Sequence, residues 1–160
     1  MTRPAGGASG PTPSPVSDPM RVLNIDEDRN QLETIGRGLM LMGHDVVSTT
    51  DENEALQLLE RPGEMPVDLL LTDLTEPGAP GHRVVERARV FHPGLPIVAL
   101  TGLLVTPDVR TLRRLGVRLL KKPFDPAQLA RVLDATVPCS CVTREGCGCQ
   151  RAEQTWSVGG

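Results

Sequence analysis

Residues Val67 to Thr72 read Val-Asp-Leu-Leu-Leu-Thr, and Asp73 and a loop carrying Pro77, Gly78, Pro80 and Gly81 follow at once. A short, almost uninterrupted apolar run, stopped by an acid and then by turn-forming residues, is the pattern of a strand buried on both faces of a parallel sheet. Such a sheet needs crossover helices on its faces. In open sheets of this kind the reactive edge lies beyond the carboxyl ends of the strands. Asp73 is therefore expected at that edge, on the last residue of a rigid strand. Taken alone it reads as a loop-capping acid; the other strand ends decide against that reading.

The remaining chain supplies those ends. Arg21 to Ile25 forms a first strand that runs into Asp26-Glu27-Asp28. Asp28 is expected to cap a helix over Arg29 to Met42, whose Leu32, Ile35, Leu39 and Met42 recur at helical spacing. Gly36 and Gly38 weaken that helix and Gly43 stops it. His44 to Thr49 reads as a second strand, and Asp51 caps a short helix with Ala55, Leu56, Leu58 and Leu59 on its apolar face. A third helix is expected from Gly81 to about Phe91 and a fourth strand over Leu95 to Leu100, ending in Thr101-Gly102. A fourth helix over Pro107 to Leu115 leads to a fifth strand over Val117 to Leu120. That strand ends in Lys121-Lys122-Pro123, and Asp125-Pro126 opens a last helix with Leu129, Val132 and Leu133 inward. Strand and helix alternate five times, which predicts a doubly wound five-stranded parallel sheet with helices on both faces. His44, His82 and His92 fall on different elements and are read as surface or loop histidines rather than a metal set.

Composition narrows the function. A net charge of -3 offers no basic face for nucleic acid and no polybasic patch for a membrane surface. With no Tyr, one Trp and two Phe, the core must be aliphatic and the chain is poor in residues for base stacking. No apolar run reaches membrane-spanning length and no signal-peptide core is seen, so a cytoplasmic protein is expected. Residues 1–19, rich in Pro, Gly, Ser and Ala, read as a disordered arm. The domain is expected over 20–137, followed by a flexible tail over 138–160.

Four strand ends thus carry, in order, Asp26 and Glu27, then Asp73, Thr101 and Lys122. Two or three carboxylates at one edge make a site for a hard cation, and Mg²⁺ favours a few carboxylates with retained waters. Such a cation offsets the repulsion between the acids and leaves Asp73 as a nucleophile able to form an acyl phosphate. A transferring phosphoryl group spreads charge over oxygens that need a cation and hydrogen-bond donors. Lys122 and the Thr101 hydroxyl supply these, and Gly102 leaves room for the approach.

The segments VLNIDED, DLLLTDLTEPGAPG, PIVALTG and KKPFDP resemble the receiver domain of two-component response regulators, over about Met20 to Val137. The resemblance implies a flavodoxin-like strand order of 2-1-3-4-5 and phosphoryl transfer to Asp73 from the phosphohistidine of a sensor histidine kinase or a histidine phosphotransfer protein. It implies Mg²⁺ held by Glu27, Asp73 and the main-chain carbonyl of Thr75, with Asp26 acting through water. Lys122 and Thr101 would hold the phosphoryl oxygens, and Lys122–Pro123 would be a cis peptide. On this reading the chain is a stand-alone, chemotaxis-regulator-like switch for protein contacts. It would be no enzyme beyond slow loss of its own phosphoryl group.

The sequence also departs from the family. Glu27 stands where receivers usually have a second Asp. Leu119 takes the place of the switch aromatic, and the segment between Gly116 and Lys122 is one residue short, so output is expected through backbone shifts in the Thr101–Thr106 loop and the following helix. Thr75 and Leu103, two past Asp73 and Thr101, offer neither an acid nor an amide to orient water, which predicts a long-lived phosphoaspartate. An aspartyl-phosphate phosphatase would carry its nucleophile on the first strand in a D-x-D pattern, which Asp26-Glu27-Asp28 does not match. The remaining alternative is an unphosphorylated pseudo-receiver scaffold. Its tail, with Cys139, Cys141, Cys147 and Cys149, is read first as reduced thiols and otherwise as a metal- or redox-responsive set, its C-x-C spacing being tighter than that of structural zinc sites.

Overall fold

The computed structural model describes residues 19–61, 66–74, 80–102 and 107–136. Its elements are β1 (Arg21–Ile25), α1 (Arg29–Leu41), β2 (Asp45–Thr49), α2 (Glu52–Glu60), β3 (Leu69–Asp73), α3 (Pro80–Phe91), β4 (Ile97–Thr101), α4 (Pro107–Arg114), β5 (Arg118–Lys121) and α5 (Pro126–Thr136). All neighbouring strands pair in parallel, in the order β2-β1-β3-β4-β5. This is the doubly wound sheet expected from the alternation of elements, with ends shifted by one or two residues, where helices and strands fray. The arm, the loop holding Thr75 and the cysteine tail lie outside the described residues.

The period of two along each strand divides the core into two layers. Leu23, Ile25, Leu70, Ile97, Ala99 and Leu119 face one side and pack with Ala55, Leu56 and Leu59 of α2, Val84, Val85 and Ala88 of α3, and Leu112 of α4. Val22, Leu69, Leu71, Val98, Leu100 and Leu120 face the other, against Ile35 and Leu39 of α1 and Leu129 and Leu133 of α5. Leu69, Leu70 and Leu71 are all fully buried, so the central strand is covered from both sides. Each such leucine contributes about 2 kcal/mol of apolar burial. Leu119 is buried in the first layer.

Local chemistry fixes where helices begin and end. Asp28 Oδ1 accepts from the backbone N–H of Asn30 at 2.8 Å and Gln31 at 3.3 Å, which caps α1 as expected. Gly43 at φ +94° carries the chain out of α1 in the left-handed region open to glycine. Gly36 tolerates its place inside α1 because a Cβ there would come within 3.1 Å of Ser48 Oγ on β2. At α5 the Asp125 carboxylate accepts from Gln128 N at 2.7 Å while Asp125 N donates to Gln128 Oε1 at 2.9 Å, a closed reciprocal cap.

His44 and His92 lie on loops. His44 is buried there, and its Nδ1 accepts from Met20 N at 3.3 Å. Burial pushes the imidazole pKa below its ordinary value, against an upward pull from Asp134. His92 is half-buried and its Nε2 bonds the Leu59 carbonyl. Short loops between tightly packed elements leave main-chain groups needing partners, and both rings answer that need.

Candidate functional site

Parallel pairing brings the ends of β1, β3, β4 and β5 to one edge. Register sets Ile25 against Thr72, Asp73 against Leu100 and Thr101 against Lys121. The chain just past β5 is tied down as well, since Lys122 N donates to the Thr101 carbonyl at 2.8 Å. Rigid strands thereby deliver Asp26, Asp73, Thr101 and Lys122 to adjacent positions although up to 96 residues separate them in sequence.

The geometry is specific. Lys122 Nζ lies 2.9 Å from Asp73 Oδ2, and both side chains are largely buried, at 22% and 9% exposure. This pair is well shielded from solvent screening, unlike Arg87–Glu60, whose two side chains are both exposed. Asp26 is buried, and its Oδ1 accepts from Asp28 N at 2.8 Å. Its Oδ2 is buried and accepts no hydrogen bond among the described residues. Burial is the main force pushing the Asp26 pKa above its ordinary value; the Asp73 carboxylate adds to it, while the Asp28 amide and Lys122 oppose it. Thr101 is buried at the end of β4. Lys122–Pro123 is a cis peptide.

Behind Asp73 the floor is rigid. A Cβ on Gly81 would sit 2.5 Å from Thr72 Oγ1 and 2.7 Å from the Asp73 carbonyl. Only glycine lets the start of α3 approach the end of β3 so closely.

A buried carboxylate oxygen with no donor, beside a second carboxylate that raises its pKa, suits a hard cation. Asp26 and Asp73 fit that role. Glu27 is exposed, and no three His, Cys, Asp or Glu side chains among the described residues group closely enough to hold an ion by themselves. Thr75, assigned a carbonyl ligand from the resemblance, lies outside the described residues. Gln31 was not expected here at all: its Oε1 accepts from Lys122 Nζ at 2.7 Å. The D-x-x-Q spacing of Asp28 and Gln31 was a signal that the glutamine side chain would be held near the helix start.

Residues 22–134 match the family described as "Response regulator receiver domain". Among curated proteins, the chain is 30% identical over 110 residues to response regulator protein FleR of Pseudomonas aeruginosa, covering 68% of this chain and 23% of that protein. It is 30% identical over 117 residues to transcriptional regulatory protein GlrR of Escherichia coli, covering 72% and 26% respectively. The chain thus spans about a quarter of the length of these two relatives. Among solved structures, Vibrio cholerae chemotaxis protein CheY4 superposes with a TM-score of 0.65 at 23% identity, over 75% of this chain and all of that one, a likeness of fold. The Leptospira biflexa HemR receiver domain gives 0.65 at 24% identity over 78% and 98%.

Proposed function

Because the chain belongs to the response regulator receiver family of two-component signalling, whose members take up a phosphoryl group donated by histidine kinases, we propose that Asp73 is its phosphoacceptor. The observation that carries this is the shielded pair of Asp73 Oδ2 and Lys122 Nζ, 2.9 Å apart, beside the orphaned Oδ2 of buried Asp26. An Asp73 oxygen attacks phosphorus in line, forming the acyl phosphate O–P bond as the N–P bond to the donor imidazole breaks. The imidazole nitrogen keeps the bonding pair. Lys122, already at the carboxylate, moves its charge onto a phosphoryl oxygen, and the Thr101 hydroxyl donates to another.

Receivers generally use Mg²⁺. Here Asp26 and Asp73 would hold it, with Glu27 and the Thr75 carbonyl completing the set, and the ion would supply positive charge to the phosphoryl oxygens. Its charge would offset the repulsion between the Asp26 and Asp73 carboxylates. The chain acts as a switch rather than a turnover enzyme, and its phosphoaspartate decays slowly because Thr75 and Leu103 offer neither an acid nor an amide to orient an attacking water.

The test is intact mass after incubation with Mg²⁺ and acetyl phosphate. A phosphoryl adduct is expected on the wild type and not on Asp73→Asn. No adduct on either, with Mg²⁺ binding shown separately, would leave the pseudo-receiver scaffold as the better reading. A purified adduct that decays within seconds would remove the slow-decay part alone.

A further inference from the structure

Two helices of this protein start with the same spacing, Asp-x-x-Gln, and use it differently. At α5 the motif closes on itself: Asp125 caps Gln128 N, and Gln128 Oε1 takes the N–H of Asp125. At α1, Asp28 caps Asn30 N and Gln31 N in the same way, but its own N–H is already donated to Asp26 Oδ1 at 2.8 Å. The amide oxygen of Gln31 therefore has no local partner to serve. It reaches across the edge of the sheet and accepts from Lys122 Nζ at 2.7 Å, a residue 91 positions away. Its amide nitrogen leans on Asp28 Oδ2 at 3.5 Å.

We propose that Gln31 is a positioning residue for phosphoryl transfer, acting through Lys122; the inference rests on Asp73 being the phosphoacceptor. An ammonium group has three N–H donors on a flexible four-carbon stem. In this site one donor points to Gln31 and another to Asp73 Oδ2, which fixes the orientation of the third. Among the described residues, Lys122 without Gln31 would be held only by the carboxylate that must itself attack phosphorus. The amide is neutral, so it anchors the ammonium without competing for its charge as a third carboxylate would. When the phosphoryl group arrives, Lys122 has only to exchange Asp73 for a phosphoryl oxygen while its other bond stays in place. Preorganised donors of this kind lower the barrier because they do not have to be reoriented during the reaction.

The experiment has two arms. Lys121 and Lys122 are the only lysines in the chain, and Lys121 is exposed, so it serves as an internal reference for amine labelling. In the metal-free protein, Gln31→Leu is expected to raise labelling of Lys122 relative to Lys121, while Gln31→Glu, which keeps an acceptor oxygen, is expected not to. In the second arm, phosphorylation by acetyl phosphate with Mg²⁺ breaks the acetate O–P bond and forms the Asp73 O–P bond, with acetate leaving as the anion. Gln31→Leu is expected to lower the rate at saturating donor about tenfold, the size of one hydrogen bond to a charged group. The same change made on top of Lys122→Ala is expected to have no further effect.

Equal slowing by Gln31→Leu in both backgrounds would overturn the inference, since a merely structural glutamine acts whether or not the lysine is present. So would an unchanged labelling ratio together with an unchanged rate. If the folded wild type forms no adduct, the phosphoacceptor reading fails separately. The labelling ratio then decides the link between Gln31 and Lys122, an unchanged value overturning it.

Discussion

The two edges of the sheet use polar residues in opposite ways. At the amino-terminal edge, buried and half-buried polar groups are committed to fixed bonds. Arg89 of α3 donates from Nε to the Leu115 carbonyl, from Nη1 to the carbonyls of Leu95 and Pro93, and from Nη2 to that of Gly116. It joins the start of β4 to the turn before β5, and burial pushes its guanidinium pKa below the ordinary value. Arg21 N bonds Asp68, Arg21 Nε bonds Asp45, and His44 and His92 serve main-chain groups. At the carboxyl-terminal edge, Asp26 keeps an oxygen without a donor among the described residues, and its pKa is pushed up by burial and by Asp73. A satisfied edge holds the fold, whereas a polar set left electrostatically incomplete is free to take a ligand.

That division predicts that substitutions separate stability from phosphorylation. The largest effect is expected for Asp73→Asn, which abolishes the phosphoryl adduct and leaves thermal unfolding cooperative. Next comes Arg89→Met, which strands several main-chain carbonyls and should cost about 3 kcal/mol by denaturant unfolding. Its folded fraction should still be phosphorylated at the wild-type rate. Loss of phosphorylation in a folded Arg89→Met protein would break the comparison.

Gly81→Ala should fall across both classes. Its Cβ would press on the Asp73 carbonyl as well as on the side chains of Thr72 and Leu74, so overpacking should cost about 1 to 3 kcal/mol. Because one of the atoms it presses on is the Asp73 carbonyl, phosphorylation should slow as well. Asp26→Asn should act in the opposite sense on stability. The folded pKa of Asp26 is raised, so its ionised form disfavours folding as pH rises above the ordinary carboxylate value. Removing the charge should raise the melting temperature at neutral pH without Mg²⁺ and diminish the further rise that Mg²⁺ gives.

The smallest effect belongs to His44. Its folded pKa is lowered, so the unfolded chain binds the proton more readily and the fold is favoured by the neutral ring. That contribution is fully present above the ordinary value of 6.5 and is lost as pH falls below it toward the folded pKa. Unfolding free energy measured from pH 7.5 down to pH 5 should decline less steeply in His44→Asn than in the wild type.

Much of the fold was legible because its signals are local and repeated. Asp28 and Asp51 cap the helices expected of them, Gly43 ends α1, and the leucines of β3 are buried on both faces. The burial of His44 was not legible, because nothing in its neighbours indicates that Met20 N lies without a partner beside it. Arg89 gave no signal either, since its partners are main-chain carbonyls that no side-chain pattern reports. For Gln31 the spacing pointed to a cap, and an identical spacing at Gln128 does form one.

The order and type of elements, the aliphatic two-layer core and the presence of Asp26, Asp73, Thr101 and Lys122 at strand ends were determined by the sequence itself. Periodicity, capping and turn chemistry act over a few residues and can be read along the chain. The strand order came only through the family resemblance, and tertiary structure alone decided the register in which neighbouring strands pair. It also decided that the Asp28 N–H is taken by Asp26, and so that Gln31 turns to Lys122 rather than back to its own helix. Hydrogen bonds are settled by competition among all donors and acceptors within reach, and only the folded chain determines which are within reach.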